Sequence, residues 1–114
     1  MSETEAFKII GRDDWAAFQP AGAYGGSEVD RADGYIHMST ADQLAETARR
    51  HYAERRDLVI LTVDLTPLGE ALKWEASRGG ALFPHLFADL PLTAVTQARA
   101  AKVVDGEIVW GEPE

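Results

Sequence analysis

The residues of this sequence that are best suited to chemistry fall in two blocks, 33–40 and 72–87. The first block contains His37, which titrates near neutral pH in its unperturbed state and can bind an oxygen or transfer a proton. The second contains Glu75, whose carboxylate can orient a ribose or stabilise a developing cation, and His85, which stands between two phenylalanines. We therefore predict catalytic roles for His37, Glu75 and His85.

The other candidates would bind a ligand rather than react with it. Tyr35 shares a face with His37 if the segment alternates as a strand, and Ser39 and Thr40 lead into a helix whose free N–H groups attract anions. An arginine before two glycines suits an anion that must approach the backbone closely. The predicted ligand-binding residues are Tyr24, Tyr35, Ser39, Thr40, Arg78, Gly79 and Gly80.

Each candidate also has a structural alternative. His37 can be a buried ring bonded to a backbone carbonyl, and His85 can be a core histidine. Ser39 and Thr40 can serve only as helix caps, and Glu75 can be an exposed strand residue. Residue type alone leaves these alternatives open.

A metal site is not predicted. Two histidines and a carboxylate form a known zinc ligand set, but no His-x-x-x-His spacing occurs and the three residues are distant in sequence. The chain has no cysteine, which excludes disulfides and thiol chemistry. No phosphate-loop or dinucleotide-binding fingerprint is present.

The first block is expected to run from a turn through a short strand into a helix. Asp33-Gly34 is a turn dipeptide, and Thr40 with Gln43 fits a capping box. The helix is predicted over about 41–53. Its expected buried stripe comprises Ala41, Leu44, Ala45, Ala48 and Tyr52.

Strands are predicted for much of the remaining chain. The apolar run 58–65 indicates a central strand, and Asp105-Gly106 between β-branched residues indicates a two-residue hairpin. Alternation over 72–75 places Lys73 and Glu75 on one face, and Pro84 favours an edge position for the next strand.

The region before the first block is predicted to be less regular. Asp13 or Asp14 can cap a short helix that carries Trp15 and Phe18 on one face and ends at Pro20. Residues 21–33 are rich in glycine and aspartate and are expected to form a long loop, which could act as a lid.

Composition places the chain in a broad class. Its 114 residues suit a single domain, with 1–5 and 111–114 expected to be frayed tails. The net charge of −8 disfavours nucleic-acid binding, no apolar run could span a membrane, and no signal sequence is recognisable, so a cytoplasmic location is expected. Five basic residues are expected to lie in the last turn of the main helix and just after it, where cations favour the negative end of the helix dipole: Arg49, Arg50, His51, Arg55 and Arg56.

Six or seven strands with one main helix and two minor ones predict an α+β fold. The two blocks, DGYIHMST with LKWE and RGGALFPHLF, together resemble the bacterial domain of unknown function 952 family. That family has been related in fold to the ADP-ribosyltransferase superfamily. The resemblance implies a split, mostly antiparallel sheet with a cleft between its halves. It also implies that His37 holds the ribose of NAD, with Glu75 or His85 at the place of the catalytic glutamate.

Three functions therefore remain open. The first is a His/Arg-lined cleft that binds a nucleotide or phosphorylated small molecule, with NAD-dependent ADP-ribosyl transfer as its most specific form. The second is a non-catalytic module that binds a small anion or a protein. The third is a hydrolase or isomerase in which His37 and His85 act as an acid–base pair.

Overall fold

The computed structural model describes residues 4–77 and 79–114 of the chain. Within them the polypeptide forms nine strands, three α-helices and two short 3-10 helices, at Thr66–Ala71 and Leu92–Ala94. The helices are α1 Arg12–Ala21, α2 Glu28–Asp33 and α3 Ala41–His51. The strands are β1 Glu5–Gly11, β2 Ala23–Tyr24, β3 Ile36–His37, β4 Leu58–Asp64, β5 Leu72–Ser77, β6 Ala81–Leu86, β7 Leu90–Pro91, β8 Val95–Val104 and β9 Glu107–Pro113.

The strands form three sheets, and every pairing is antiparallel. The largest has the order β1-β4-β8-β9, the next β3-β6-β5, and β2 pairs with β7. The predicted α+β class is confirmed, as is the central position of β4 between β1 and β8. Backbone hydrogen bonds between Phe7 and Ser39 join β1 to the chain just after β3, so the two larger sheets are linked beside His37.

The buried side chains form two clusters on the main sheet. Trp15 and Phe18 of α1 enter one of them, as their spacing predicts. Leu44 and Ala48 of α3 enter the other, with Tyr52 packed against it. The predicted α3 stripe is too wide, because Ala41 and Ala45 are exposed and only the line Leu44–Ala48–Tyr52 faces the sheet.

Residues 21–33 do not form the predicted long loop. They contain β2 and the one-and-a-half-turn helix α2. Ser27 caps α2 through a reciprocal pair of bonds: Asp30 N donates to Ser27 Oγ at 3.1 Å, and Ser27 N donates to Asp30 Oδ2 at 2.9 Å. This capping box gives a polar, glycine-rich segment a defined conformation.

The strand that contains Pro84 is central, not at an edge as predicted, because β6 lies between β3 and β5. Pro84 is tolerated because β3 is only two residues long. The carbonyl of Pro84 accepts a bond from Met38 N at 3.1 Å, just beyond β3. The nitrogen of Pro84 faces the same side but cannot return a bond to Met38, and the pairing of β3 with β6 ends at this point.

Three smaller features follow. The hairpin is confirmed, with Asp105 at φ 54° and Gly106 at φ 79°, both left-handed as a type I′ turn requires. The C-terminal residues do not fray as predicted: β9 continues through Pro113, and Glu114 N donates to Ala98 O at 2.8 Å. No helix among the described residues is long and apolar enough to cross a membrane.

The start and end of α1 also differ from prediction. Its N-cap is Gly11, which offers no side-chain bond, so neither Asp13 nor Asp14 caps it. Pro20 lies inside the last turn, and Gly22 in the left-handed conformation closes the helix through a bond to Phe18 O at 2.9 Å. Pro20 has no N–H to donate to the carbonyl four residues earlier, and the helix ends at the next residue, Ala21.

Candidate functional site

The pairing of β3 with β6 brings the two histidines together. The register aligns His37 directly with His85, and their ring centroids are 5.5 Å apart. Directly opposed residues of an antiparallel pair point to the same face of the sheet. Two residues that are 48 positions apart in the chain therefore share one small surface.

Tyr35 lies at the centre of this surface. Its ring stacks on His85 at 4.1 Å, approaches His37 at 4.6 Å and contacts Phe87 at 5.0 Å between centroids. Phe87 is one of the few large apolar side chains that stay exposed. We call Tyr35, His37, His85, Phe87 and Glu75 the Tyr35 cluster.

Glu75 joins the cluster through His85. Its Oε1 is 2.8 Å from Nδ1 of His85, whose side chain is buried while that of Glu75 is nearly half exposed. A carboxylate at Nδ1 directs the proton there and leaves Nε2 as the acceptor in the neutral ring. Nε2 of His85 has no hydrogen-bond partner among residues 4–77 and 79–114.

His37 has a carboxylate at each ring nitrogen. Asp30 Oδ1 is 2.6 Å from Nδ1 and also accepts from the His37 backbone N–H at 3.1 Å. Asp33 Oδ2 is 2.9 Å from Nε2. Both carboxylates can accept a hydrogen bond from the ring at the same time only if both of its nitrogens carry a proton.

Asp30 is the most deeply buried carboxylate of the site, with 2% of its surface exposed. Its Oδ2 accepts from Lys8 Nζ at 2.8 Å, and Lys8 of β1 is itself only 3% exposed. Burial alone would raise the pKa of Asp30. The hydrogen bond from His37, the charge and hydrogen bond of Lys8 and the N–H of Ser27 outweigh it, and the pKa of Asp30 lies well below its usual value.

This network predicts an acid-sensitive fold. Because the pKa of Asp30 is lower in the folded than in the unfolded protein, its contribution to stability is full above the ordinary value of 3.8 and is lost as the pH falls below it. We expect the free energy of unfolding to drop by about 2 kcal/mol more between pH 6 and pH 2 in the wild type than in Asp30→Asn. Urea titrations at a series of pH values measure this difference. An equal change in the free energy of unfolding between pH 6 and pH 2 in both proteins would contradict the prediction.

The local field of the cluster is negative. Partial burial, and then the charges of Asp33, Glu75 and Asp30, raise the pKa of the Tyr35 phenol. The phenol therefore stays neutral around pH 7 and can donate its proton in a hydrogen bond. Such a field favours a cationic group rather than a bare anion at the cluster.

Two open clefts border the site on the α2 side. The smaller, of about 280 Å³, is lined by Tyr35 and Phe87 together with Asp30, Arg31 and Asp89. The larger, of about 490 Å³, has Phe18 and Tyr24 among its walls. Gly25 and Arg31 line both clefts, so the two are adjacent. Neither histidine lines them directly; Tyr35 connects the smaller cleft to the cluster.

The remaining predicted site residues lie away from the cluster. Tyr24 stacks on Phe18 at 5.5 Å in the wall of the larger cleft. Ser39 is buried with its hydroxyl 2.7 Å from Thr47 Oγ1. Thr40 forms the predicted capping box, in which its N–H donates to Gln43 Oε1 at 3.0 Å. Both residues have structural contacts of their own, and ligand contacts for them stay predictions.

The glycine pair belongs to a hairpin tip. Gly79 and Gly80 have φ values of +79° and +103°, and Gly80 N donates to Ser77 O at 3.1 Å to close the turn between β5 and β6. From Ala81 to His85 the strand spans about 14 Å, so the tip is remote from His85. Arg78 lies outside the described residues.

Four residues of the site escaped the sequence analysis: Lys8, Asp30, Arg31 and Asp33. The Ser27-x-x-Asp30 spacing carried a helix-start signal within a segment that looked like a loop. Lys8 carried no such signal, since a lone lysine in an apolar strand indicates only an exposed position. No group of three His, Asp or Glu side chains suited to a metal ion occurs within residues 4–77 and 79–114.

Fold and site together define a small α+β protein with two carboxylate–histidine pairs around one tyrosine on an antiparallel sheet. Residues 9–98 match the family described as protein of unknown function (DUF952). The chain belongs to that family, which confirms the family resemblance of the two sequence blocks. No curated protein matches the chain.

Solved structures support the fold. The chain is similar to the crystal structure of protein CC0527 from Caulobacter crescentus, with 43% identity and a TM-score of 0.86 over 97% of this chain and 94% of that one. The solution NMR structure of CC0527 gives 43% identity and a TM-score of 0.80 over 93% and 91%.

Proposed function

We propose that this protein binds a ribonucleotide at the Tyr35 cluster and the adjoining clefts, and that NAD-dependent transfer of ADP-ribose is its most specific form of activity. In this proposal His37 contacts a ribose hydroxyl and Tyr35 with Phe87 packs against a ring. Glu75 and the neighbouring carboxylates stabilise positive charge at the reacting ribose carbon.

The observation that carries the proposal is the matched geometry of the two histidines. Each has a carboxylate within 2.8 Å of its Nδ1, and the β3–β6 register holds both rings against Tyr35. A carboxylate at Nδ1 orients an imidazole for proton transfer at Nε2. The choice of a ribosyl ligand follows the resemblance of the two sequence blocks, which implies a relation to the ADP-ribosyltransferase superfamily.

The charge of the site favours chemistry with a cationic transition state. Cleavage of a bond between ribose and a nitrogen leaving group develops positive charge on the sugar, as in glycoside hydrolysis. Glu75 is the exposed carboxylate of the cluster, and its contact with Nδ1 of His85 at 2.8 Å holds it in place. Fixed negative groups stabilise that developing charge without reorganising.

The phosphates of such a ligand require a cation, and Arg31 is placed for that role. It lines both clefts, and its guanidinium donates to Gly26 O at 3.1 Å, which holds it at their junction. A cleft of about 280 Å³ is slightly below the usual size for a small ligand, whereas the two together suit a dinucleotide. Arg31 would then lie near the diphosphate that joins the two halves.

Ligand-induced stabilisation tests this proposal. We expect NAD or ADP-ribose at about 100 times its Kd to raise the Tm by roughly 10 °C, since such saturation contributes about 2.7 kcal/mol. Inorganic phosphate should have little effect. In His37→Ala we expect at least a tenfold loss of affinity, whereas His51→Ala, which alters an exposed histidine on α3, should bind normally.

An assay of nicotinamide release from NAD, monitored by chromatography, distinguishes an enzyme from a binding module.

The non-catalytic alternative has one observation in its favour. Trp74 and Leu82 are exposed on the face of the β5–β6 hairpin opposite Glu75, as expected for a protein contact. Stabilisation without nicotinamide release would favour that alternative. Binding that survives His37→Ala would refute the role of His37, and no response to either nucleotide would refute the ligand class.

A further inference from the structure

The most unusual buried group of the chain is the Lys8–Asp30 ion pair beneath His37. We propose that Asp30, anchored by Lys8, is a positioning residue that holds the His37 ring with its Nδ1–H toward the protein interior and presents Nε2 to the ligand. This inference rests on the proposed function for the identity of the ligand, but the state of the ring can be tested without any ligand.

The two oxygens of Asp30 have separate partners. Oδ2 accepts from Lys8 Nζ and from Ser27 N, and Oδ1 accepts from the backbone N–H of His37 and lies 2.6 Å from its Nδ1. Because one oxygen bonds both the backbone and the ring of the same residue, it fixes the ring orientation as well as its position. The same carboxylate joins β1, the start of α2 and β3.

Asp30 and Asp33 compete for the proton of the neutral ring, and burial decides between them. Asp30 cannot turn away, because four bonds hold it and its surface is 2% exposed. A lone pair on Nδ1 would face this carboxylate in a medium of low dielectric constant. The Asp33 side chain is 46% exposed and can rotate into water. The neutral ring should therefore carry its proton on Nδ1.

Other groups near the ring do not reverse this preference. Tyr35, just before β3, contacts the His37 ring through its own aromatic ring, and His85 of β6 has its own partner in Glu75 of β5. Lys8 of β1 acts through Asp30 rather than on the ring itself. A ligand hydroxyl that displaces Asp33 would meet Nε2, the nitrogen that Asp30 leaves available.

Substitution of Asp30 by asparagine should reverse the tautomer. The Oδ2 position has two donors, Lys8 and Ser27, whereas the Oδ1 position has one fixed donor, the His37 backbone N–H. The amide oxygen should therefore take the Oδ2 position, and the amide NH₂ should face His37. An NH₂ group there donates to Nδ1 and moves the ring proton to Nε2, as the same replacement does in the serine protease triad. Asp33→Asn changes the other partner of the same ring and provides the matched control.

Nitrogen-15 NMR of the imidazole rings at alkaline pH measures these states directly. In the wild type we expect the Nδ1–H tautomer of His37, although histidine in water favours Nε2–H. Asp30→Asn should shift the ring to Nε2–H, and Asp33→Asn should keep Nδ1–H. The Nε2–H form in the wild type would overturn the proposal even if Asp30→Asn failed to fold.

The two proposals fail in different ways. If Nδ1–H is found in the wild type but persists in folded Asp30→Asn, the positioning role is wrong whatever the protein binds. If the tautomer follows the expected pattern but no nucleotide stabilises the protein, the positioning role stands and the ribonucleotide proposal is wrong. If both hold, Asp30→Asn should weaken NAD binding at least tenfold.

Discussion

Asp30→Ala is expected to lower the free energy of unfolding by about 3–5 kcal/mol, the largest effect of any single polar substitution in this chain. The change leaves the Lys8 ammonium buried without its counter-ion, since Lys8 is 3% exposed and Asp30 lies 2.8 Å from its Nζ. It also removes an acceptor from Ser27 N, which weakens the start of α2. Equilibrium unfolding in urea, followed by circular dichroism, measures the loss.

A second substitution identifies the cause. Lys8→Met in the Asp30→Ala background removes the unpaired charge and keeps a similar volume, so we expect it to recover at least about 2 kcal/mol. Asp33→Ala provides the control, because that carboxylate is largely exposed and should cost less than about 1 kcal/mol. A double variant no more stable than Asp30→Ala would show that the buried charge is not the source of the loss.

Gly26→Ala is expected to cost about 3 kcal/mol or more and to disturb His37 as well. Gly26 has φ +105°, which side chains rarely adopt, and an added Cβ would stand 2.7 Å from Asp30 Cβ and 3.4 Å from Ile36 Cγ1. Backbone strain accounts for about 1–3 kcal/mol of the cost, and displacement of Asp30 adds to it. Urea unfolding measures the stability, and the His37 ring signals report on the site.

Gly22→Ala is the matched control for this prediction. Gly22 also has a positive φ, +78°, but a Cβ there would meet nothing within 4 Å. It should therefore cost only the backbone strain, about 1–2 kcal/mol, and leave the His37 signals unchanged. Equal losses of stability in both variants would show that the contact of the added Cβ with Asp30 does not contribute to the cost of Gly26→Ala.

Both predictions concern Asp30, whose carboxylate contributes to the stability of the fold and to the geometry of the site. Asp30 caps α2, which lines both clefts, and it also orients His37 of β3. A change that displaces α2 would therefore alter the orientation of the His37 ring. Loss of the hydrogen bond between Asp30 and that ring would in turn weaken the packing of α2. A segment expected to form a long loop is instead bonded to the proposed reactive residue.

The electrostatic character of the site also differs from the sequence expectation. A cleft lined by histidine and arginine was predicted to hold an anion. In the structure Asp30, Asp33 and Glu75 surround the two histidines, and the cation of the clefts is Arg31 of α2. These carboxylates are consistent with the role proposed for Glu75, the stabilisation of a developing cation.

Sequence alone determined the features that depend on local rules. The Thr40–Gln43 capping box, the Asp105-Gly106 hairpin and the central strand at 58–65 are all present. Each arises from neighbours in the chain, since a cap, a turn and a run of apolar residues are specified over a few positions. The strand pattern also placed His37 and Tyr35 on one face, and their rings are in contact.

Only the tertiary structure decided which of these residues meet. The register of β3 on β6 sets His37 against His85, and a slip of one residue would have turned one of them to the other face. The burial of Lys8 against Asp30 depends on β1 and α2 packing together across 22 positions of sequence. Pairings of this kind arise from the packing of distant segments, so spacing along the chain carries no trace of them.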